Sequence, residues 1–196
     1  MLKIKIMTTL KINLLKTLFS LSLVVLLLPA CTESNSSTEK KAAVDTPEID
    51  IHTAVISGNL EAVKQHIEVG TDLNEKEQFS GSTPLISAAT FGKTEIAQAL
   101  IDAGTDLSAK NNDGSTALHS AAFFGRVEIV QMLIDAQADK TIRNNFGATA
   151  RESVIGPFAE VKPIYEMLEQ QLSPMGLQLD MNELEKTRPV VAIMLQ

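Results

Sequence analysis

An internal repeat of 33 residues limits this chain to a small number of architectures. Residues 82–114 and residues 115–147 align without a gap and are identical at 19 of 33 positions. Residues 50–81 carry the same pattern more loosely, with one extra residue before the glycine that ends the copy. The closing glycines are Gly81, Gly114 and Gly147. A period of this length is typical of solenoids, in which each repeat must stack on its neighbours to bury its apolar face.

The residues within each copy predict a pair of short helices. Pro84 suits the first turn of a helix, where its missing N–H needs no partner. Ile96, Leu100 and Ile101 are spaced so that they share one face of a second helix. Gly104 suits the position just after that helix ends. Small residues occupy the first helix, where the helices of neighbouring repeats must approach closely: Ala88, Ala89, Ala121 and Ala122.

The motifs of the three copies resemble those of ankyrin repeats. The first helix opens with Thr83-Pro84-Leu85-Ile86 in one copy and with Thr116-Ala117-Leu118-His119 in the next. A glycine follows the first helix in every copy: Gly58, Gly92 and Gly125. The resemblance implies an all-α ankyrin-repeat solenoid over residues 49–147. Its three repeats are 50–81, 82–114 and 115–147.

Residues 148–196 depart from the repeat pattern. They begin normally at Ala148-Thr149-Ala150, but Gly156-Pro157-Phe158 replaces the end of the first helix. A longer helix is predicted beyond it from apolar residues at helical spacing. These residues are Val161, Ile164, Tyr165, Leu168 and Leu172. We interpret 148–196 as a divergent terminal repeat and helical cap.

The last part of this segment carries a second helix signal. Asp180, with Glu183 three residues later, resembles a capping box before Leu184. Pro189 is expected to open a final segment, Val190–Leu195. An alternative to the cap interpretation is that this final segment is a helix that docks on a partner.

Residues 1–30 have the pattern of an export signal rather than of a folded segment. They hold four lysines and no acidic residue, with an apolar run from Leu18 to Leu28. The run is too short to span a membrane, which takes about 20 apolar residues. Met7 is an alternative start, since two of the lysines follow it.

Leu28-Pro29-Ala30-Cys31 resembles the lipobox of bacterial lipoproteins, although Pro29 departs from the usual alanine or serine. The resemblance implies cleavage before Cys31, acylation of that cysteine and a lipid-anchored envelope protein. The resemblance also implies transfer to the outer membrane, facing the periplasm, because Thr32 rather than an aspartate follows the cysteine. Residues 31–48 lack apolar periodicity and predict a flexible tether. The alternative is a soluble exported chain with a free thiol.

Composition and charge argue against several classes of function. The net charge is −7, and the 13 basic and 24 acidic residues from Cys31 onward give −11. Nucleic-acid binding requires a basic face instead. A single cysteine excludes an intramolecular disulfide framework and a cysteine-cluster zinc site. The chain has no P-loop, dinucleotide fingerprint, HExxH or GxSxG motif. We therefore expect a non-enzyme with no cofactor, no metal and no nucleic-acid partner.

Ankyrin repeats bind proteins through hairpin tips and through the concave face of the first helices, and this resemblance selects the candidate residues. The tip positions are Phe79, Asn112, Asp113, Asn145 and Phe146. The concave positions are Thr90, Phe91, Phe123 and Phe124. Aromatic side chains at such places are candidate interface anchors. The alternative is that the rings fold back on the neighbouring repeat, which recurrence at the repeat period favours for Phe91 and Phe124.

The three histidines give no clear metal signal. The resemblance makes His119, the histidine of the ankyrin motif, a structural residue. His52 and His66 lie on different helices of the first repeat, so a metal pair there would be exceptional.

The sequence as a whole predicts a non-enzymatic, lipid-anchored envelope protein that binds another protein. Two alternatives remain open. One is a small-ligand or enzymatic site in the irregular tail, formed by a set of polar residues: Glu152, Glu160, Lys162 and Tyr165. The other is a spacer with no specific partner.

Overall fold

Helices account for the regular secondary structure of residues 47–196, the part of the chain that the computed structural model describes. In chain order these are α1 (Ile51–Ser57), α2 (Leu60–Val69), α3 (Pro84–Phe91), α4 (Thr94–Asp102), α5 (Ala117–Phe123), α6 (Val127–Asp135), α7 (Phe158–Leu172) and α8 (Met181–Met194). A 3-10 turn, Ser173–Met175, links the last two helices. The predicted all-α class is confirmed, and the export signal and Cys31 lie outside the described residues.

Local signals set the helix ends as the sequence indicates. Thr83 caps α3, and Pro84 is the first residue of that helix. Gly104 follows α4 with φ +80°, and its N–H donates to the carbonyl of Ile101 at 3.0 Å. Helices commonly end with a glycine in the left-handed conformation just after their last residue. In the next repeat Gln137 stands at that position with φ 62°, a conformation that costs a side-chain-bearing residue free energy.

The helices form two layers. The first helices of the repeats, α1, α3 and α5, pack side by side, and α2, α4 and α6 form the second layer behind them. The alanine pairs of α3 and α5 are fully buried, which allows neighbouring helices to approach closely. Leu100 and Leu133, from the second layer, complete a continuous apolar core.

Buried histidines tie the repeats to their loops. Nε2 of His119 donates to the carbonyl of Ala148 at 3.1 Å, and Nδ1 accepts from the N–H of Thr116 at 3.3 Å. His66 uses its ring similarly, with Nε2 2.8 Å from the carbonyl of Ile49. The structural role expected for His119 is confirmed. Both ring nitrogens of His66 also have protein partners, since its Nδ1 lies 3.0 Å from Oγ1 of Thr71.

The C-terminal segment closes the stack with a different geometry. Residues 150–154 form turns in place of the first helix of a fourth repeat. Helix α8 packs against both α6 and α5, and α7 packs against α8. Asp180 caps α8 as predicted, because its Oδ1 accepts from the N–H groups of Asn182 and Glu183.

The expectation for Pro189 is wrong, because this residue lies inside α8 rather than at the start of a new segment. A proline within a helix leaves the carbonyl four residues earlier without its usual donor. Here that carbonyl belongs to Glu185, and this residue is exposed. Water can satisfy the carbonyl at such a position, so the helix continues. None of the helices within residues 47–196 is long and apolar enough to cross a bilayer.

Candidate protein-binding surface

The hairpin loops between repeats are joined to one another at their tips. The N–H of Asn112 donates to the carbonyl of Ser80 at 2.8 Å, and the N–H of Asn145 donates to the carbonyl of Asp113 at 2.9 Å. The side-chain amide of Asn112 donates to the carbonyl of Phe79 at 3.0 Å, and that of Asn145 to the carbonyl of Asn112 at 2.9 Å. This ladder of hydrogen bonds holds the three tips in a fixed register.

A glycine is required at the base of the tips. Gly114 has φ +72°, and a Cβ placed there would lie 2.5 Å from Oδ1 of Asn145. Gly81 is in the same situation beside Asn112. Only glycine combines this backbone conformation with such a close approach. The recurring glycines are therefore what allows each tip to dock on the next.

The first tip is organised by Glu77, which the sequence analysis did not single out. In the second tip Oδ1 of Asn111 accepts backbone N–H groups. In the first tip, which is one residue longer, the carboxylate of Glu77 accepts from Phe79, Ser80 and Ser82. Burial tends to raise the pKa of Glu77, but these hydrogen bonds outweigh it and lower the pKa below its usual value. The inserted residue was the only sequence signal of this change.

The aromatic rings at the tips project into solvent. Phe79 is 94% exposed and Phe146 is 80% exposed, so neither folds back on a neighbouring repeat. Asn112, Asp113 and Asn145 are also exposed along the same row of tips. The five tip positions selected from the sequence therefore lie on one ordered, accessible edge, which we call the tip surface.

The four concave positions are much less accessible. The Thr90 hydroxyl donates within its own helix to the carbonyl of Ile86 at 3.0 Å, and Phe91 is half-buried. Phe124 is only 8% exposed, so it belongs to the core. Phe123 is half-buried, and its ring stacks on that of Tyr165, with 4.5 Å between centroids.

Tyr165 is the buried centre of the cap. Its hydroxyl donates to the carbonyl of Phe123 at 2.6 Å and accepts from Nη1 of Arg188 at 2.8 Å. The ring of Phe158 also stacks on that of Tyr165, with 5.8 Å between centroids. Burial raises the pKa of the Tyr165 hydroxyl, against the nearby charge of Arg188. The predicted role of Phe123 as an interface anchor needs correction, because the ring of Tyr165 in α7 already packs against the ring of Phe123.

The polar residues of the tail do not converge on a catalytic site. Tyr165 is buried, whereas Glu152 forms an ion pair with Arg143 at 2.5 Å on the surface. Nζ of Lys162 lies 3.9 Å from Oε1 of Glu166 on the exposed side of α7. The described residues contain no group of three or more His, Cys, Asp or Glu side chains that could hold a metal ion. The cluster suggested by the sequence is therefore not formed.

Comparison with known proteins identifies the repeats. The family model for ankyrin repeats (3 copies) matches residues 51–144. Protein phosphatase 1 regulatory subunit 27 from human and from mouse is 44% identical over 63 residues, which is 32% of this chain and 40% of that protein. Human DNA-binding protein RFXANK is 36% identical over 58 residues, 30% of this chain and 22% of that protein. The chain thus spans 40% or less of the length of these relatives.

A solved structure shows the same architecture. The crystal structure of the ankyrin repeat domain of Bcl-3, a unique member of the IkappaB protein family, aligns with a TM-score of 0.51 and 31% identity. The alignment covers 53% of this chain and 45% of that chain. Together with the motif match and the two-layer packing, this shows that the chain carries an ankyrin-repeat solenoid, extended by its own helical C-terminal segment.

Proposed function

We propose that this chain is a lipid-anchored protein of the bacterial envelope whose ankyrin solenoid binds and regulates another protein through the tip surface. The observation that carries the proposal is the pair of exposed rings, Phe79 and Phe146, on tips that are hydrogen-bonded to each other. Large aromatic side chains supply much of the binding free energy at protein interfaces when they enter a pocket on the partner. A surface that is already ordered loses less conformational entropy on binding.

The charge of the tip surface favours a protein over a nucleic acid. The exposed carboxylate of Asp113 lies in the tip between those of the two rings, and the whole chain is acidic, with a net charge of −7. Such a surface repels phosphates and suits a partner patch with apolar pockets and a basic group. The similarity to a phosphatase regulatory subunit supports a role that acts by binding rather than by chemistry. The partner in this proposal is an envelope protein, since the anchor would restrict the solenoid to the membrane surface.

The anchor belongs to the proposal and rests on sequence alone. Acylated Cys31 would hold the chain at the outer membrane, facing the periplasm. Residues 32–47 of the tether, which number 16, could span about 55 Å when fully extended. The solenoid would then be able to bind partners that lie within that distance of the anchored cysteine.

Affinity capture tests the tip surface. The anchored full-length chain is used as bait in detergent-solubilised envelopes, beside a Phe79→Ala/Phe146→Ala variant. The matched control is Ile164→Ala/Met167→Ala, which removes two exposed apolar side chains from α7 instead. We expect one envelope protein to be retained by the wild type and the control and lost from the tip variant. Retention by the tip variant at the wild-type level would refute the proposed surface.

The anchor has its own experiment. Cells are fed an alkyne fatty acid, and the chain is examined for label and for its distribution between membrane and soluble fractions. We expect labelled, membrane-bound protein, and unlabelled protein for Cys31→Ser. An unlabelled wild-type chain would refute the anchor while leaving the tip surface intact.

A further inference from the structure

A cleft of about 420 Å³ lies between the turns of residues 150–156 and helix α8. Its volume falls in the range of small-molecule sites, which runs from about 300 to 1,000 Å³. Two arginines, one glutamate and several apolar side chains line it, among them Arg151, Arg188, Glu185, Ile155, Phe158 and Ile193. The cleft is formed by the part of the chain that breaks the repeat pattern, and it is separate from the tip surface.

Arg188 gives the cleft an unbalanced buried charge. This residue is only 2% exposed, yet its hydrogen-bond partners are neutral groups. Nη1 donates to the Tyr165 hydroxyl at 2.8 Å, and Nη2 donates to the carbonyl of Gly156 at 3.3 Å. Burying a cation without an anionic partner is costly. A bound anion in the cleft would supply the missing counter-charge.

The second arginine adds to the same imbalance. Nε of Arg151 donates to the carbonyl of Ala192 near the end of α8 at 3.1 Å, and Arg151 lines the cleft. Within residues 47–196 neither arginine forms an ion pair. Glu185 lines the cleft but is exposed, and it is too far from both arginines to form a salt bridge with either. Among its side chains the cleft therefore holds two cations against one solvated carboxylate. Gln196 also lines the cleft, and its main-chain oxygen accepts from Nζ of Lys140 at 2.6 Å.

The remaining lining is apolar and open to solvent. Ile193 is 65% exposed and Ile155 is 55% exposed, so both side chains present uncovered hydrocarbon next to the arginines. A ligand that covered this surface would gain roughly 25 cal/mol for each Å² removed from water. A guanidinium group binds a carboxylate with two parallel hydrogen bonds, which a hydroxyl or an amide cannot reproduce.

From these features we infer that the cleft binds a small carboxylate that carries an apolar body, with the carboxylate at Arg188 and Arg151 and the body against Ile193 and Ile155. A free organic acid and the C-terminal carboxylate of a peptide share this chemistry. The site would equip the cap to sense or retain a second ligand independently of the protein bound at the tips.

The experiment titrates sodium octanoate into the full-length chain. Calorimetry gives the affinity, and the arginine Nε–H signals in ¹⁵N NMR spectra report whether Arg151 and Arg188 are contacted. Octanol, which has the same tail and no charge, is expected to bind at least about tenfold more weakly, since a charge-assisted hydrogen bond contributes about that factor or more. A leucine-ended peptide acid, compared with its amide, distinguishes a peptide terminus from a free acid.

Two variants test the position of the ligand without removing Arg188, which also supports Tyr165. Ile193→Glu places a negative charge on the wall of the cleft, and Arg151→Gln removes one cation. Each is expected to weaken octanoate binding about tenfold. Val190→Glu is the matched control, because Val190 is an exposed residue of the same helix that does not line the cleft.

Saturable octanoate binding that is weakened by Ile193→Glu and Arg151→Gln and unchanged in Val190→Glu supports the inference. Tighter binding of the peptide acid than of octanoate assigns the site to a chain terminus, and the reverse assigns it to a free acid. Three results would overturn the inference. They are the absence of saturable binding, equal affinity for octanol, and an equal loss of affinity in Ile193→Glu and Val190→Glu.

Discussion

The substitution Tyr165→Phe removes one hydroxyl that has two hydrogen-bond partners. The hydroxyl donates to the carbonyl of Phe123 at 2.6 Å and accepts from Nη1 of Arg188 at 2.8 Å. The ring itself, which stacks on Phe123 with 4.5 Å between centroids, is retained. The substitution therefore separates the hydrogen bonds that attach the cap from the aromatic packing that accompanies them.

The expected loss of stability follows from the two hydrogen bonds. A neutral hydrogen bond contributes about 1 kcal/mol to the free energy of unfolding, and one to a charged group about 1.5–3 kcal/mol. Arg188 keeps a second partner in the carbonyl of Gly156, and water can enter the adjoining cleft. We therefore expect the lower part of the summed range, a loss of about 2.5–3 kcal/mol.

Urea unfolding followed by far-UV circular dichroism measures this loss, with the slope against urea concentration expected to stay constant. A double-mutant cycle with Arg188→Met should give a coupling energy of about 1–2 kcal/mol, because the two side chains share a hydrogen bond. A loss below about 0.5 kcal/mol together with no coupling would show that this network does not hold the cap. Hydrogen exchange should report the first openings in α7, since the Tyr165 hydroxyl attaches that helix to the last repeat.

Three further predictions concern single positions of the solenoid. Gln137→Gly should raise the free energy of unfolding by about 0.5–1 kcal/mol in urea titrations, because relief of the left-handed strain at φ 62° exceeds the entropic cost of glycine; a loss of stability would contradict this. Gly114→Ala should lower it by at least about 1–2 kcal/mol, since strain at φ +72° adds to the close approach to Asn145. Burial holds the pKa of His119 below its usual value. The folded state therefore keeps this ring neutral while the unfolded chain takes up a proton at about pH 6.5, so stability should fall as the pH drops below that value. The pH dependence of the urea midpoint should be weaker in His119→Gln, and an unchanged dependence would refute the assignment.

Most of the repeat architecture could be predicted because its signals are local and recur. Thr83 and Pro84 specify a helix start from their own chemistry, and a glycine after each helix permits the backbone to turn. The paired alanines and the apolar spacing of the second helices then indicate which faces pack together. Phe124 was a candidate interface residue, but its recurrence with Phe91 at the repeat period favoured the alternative that it packs on the neighbouring repeat, and its burial agrees with that alternative.

The predictions that failed concern contacts between residues that do not recur. Pro189 is a helix breaker by local rules, but its position in α8 leaves only the carbonyl of an exposed residue without a donor. The polar tail residues share a stretch of sequence, yet helix geometry directs Tyr165 inward and Lys162 outward. In the first tip Glu77 accepts the backbone N–H groups, as Asn111 does in the second tip. A single sequence has no recognisable pattern for such a replacement.

The sequence by itself determined the repeat, the helix pairs, the turns at the glycines and the row of hairpin tips, because each depends on chemistry within one 33-residue unit. Only the tertiary structure decided which candidate residues stay accessible. Phe79 and Phe146 remain in solvent at the tips, whereas Phe123 is half-buried against Tyr165, which lies 42 residues further along the chain. Burial of that kind is set by how a non-repeating segment packs against the last repeat, and no period in the sequence records that packing.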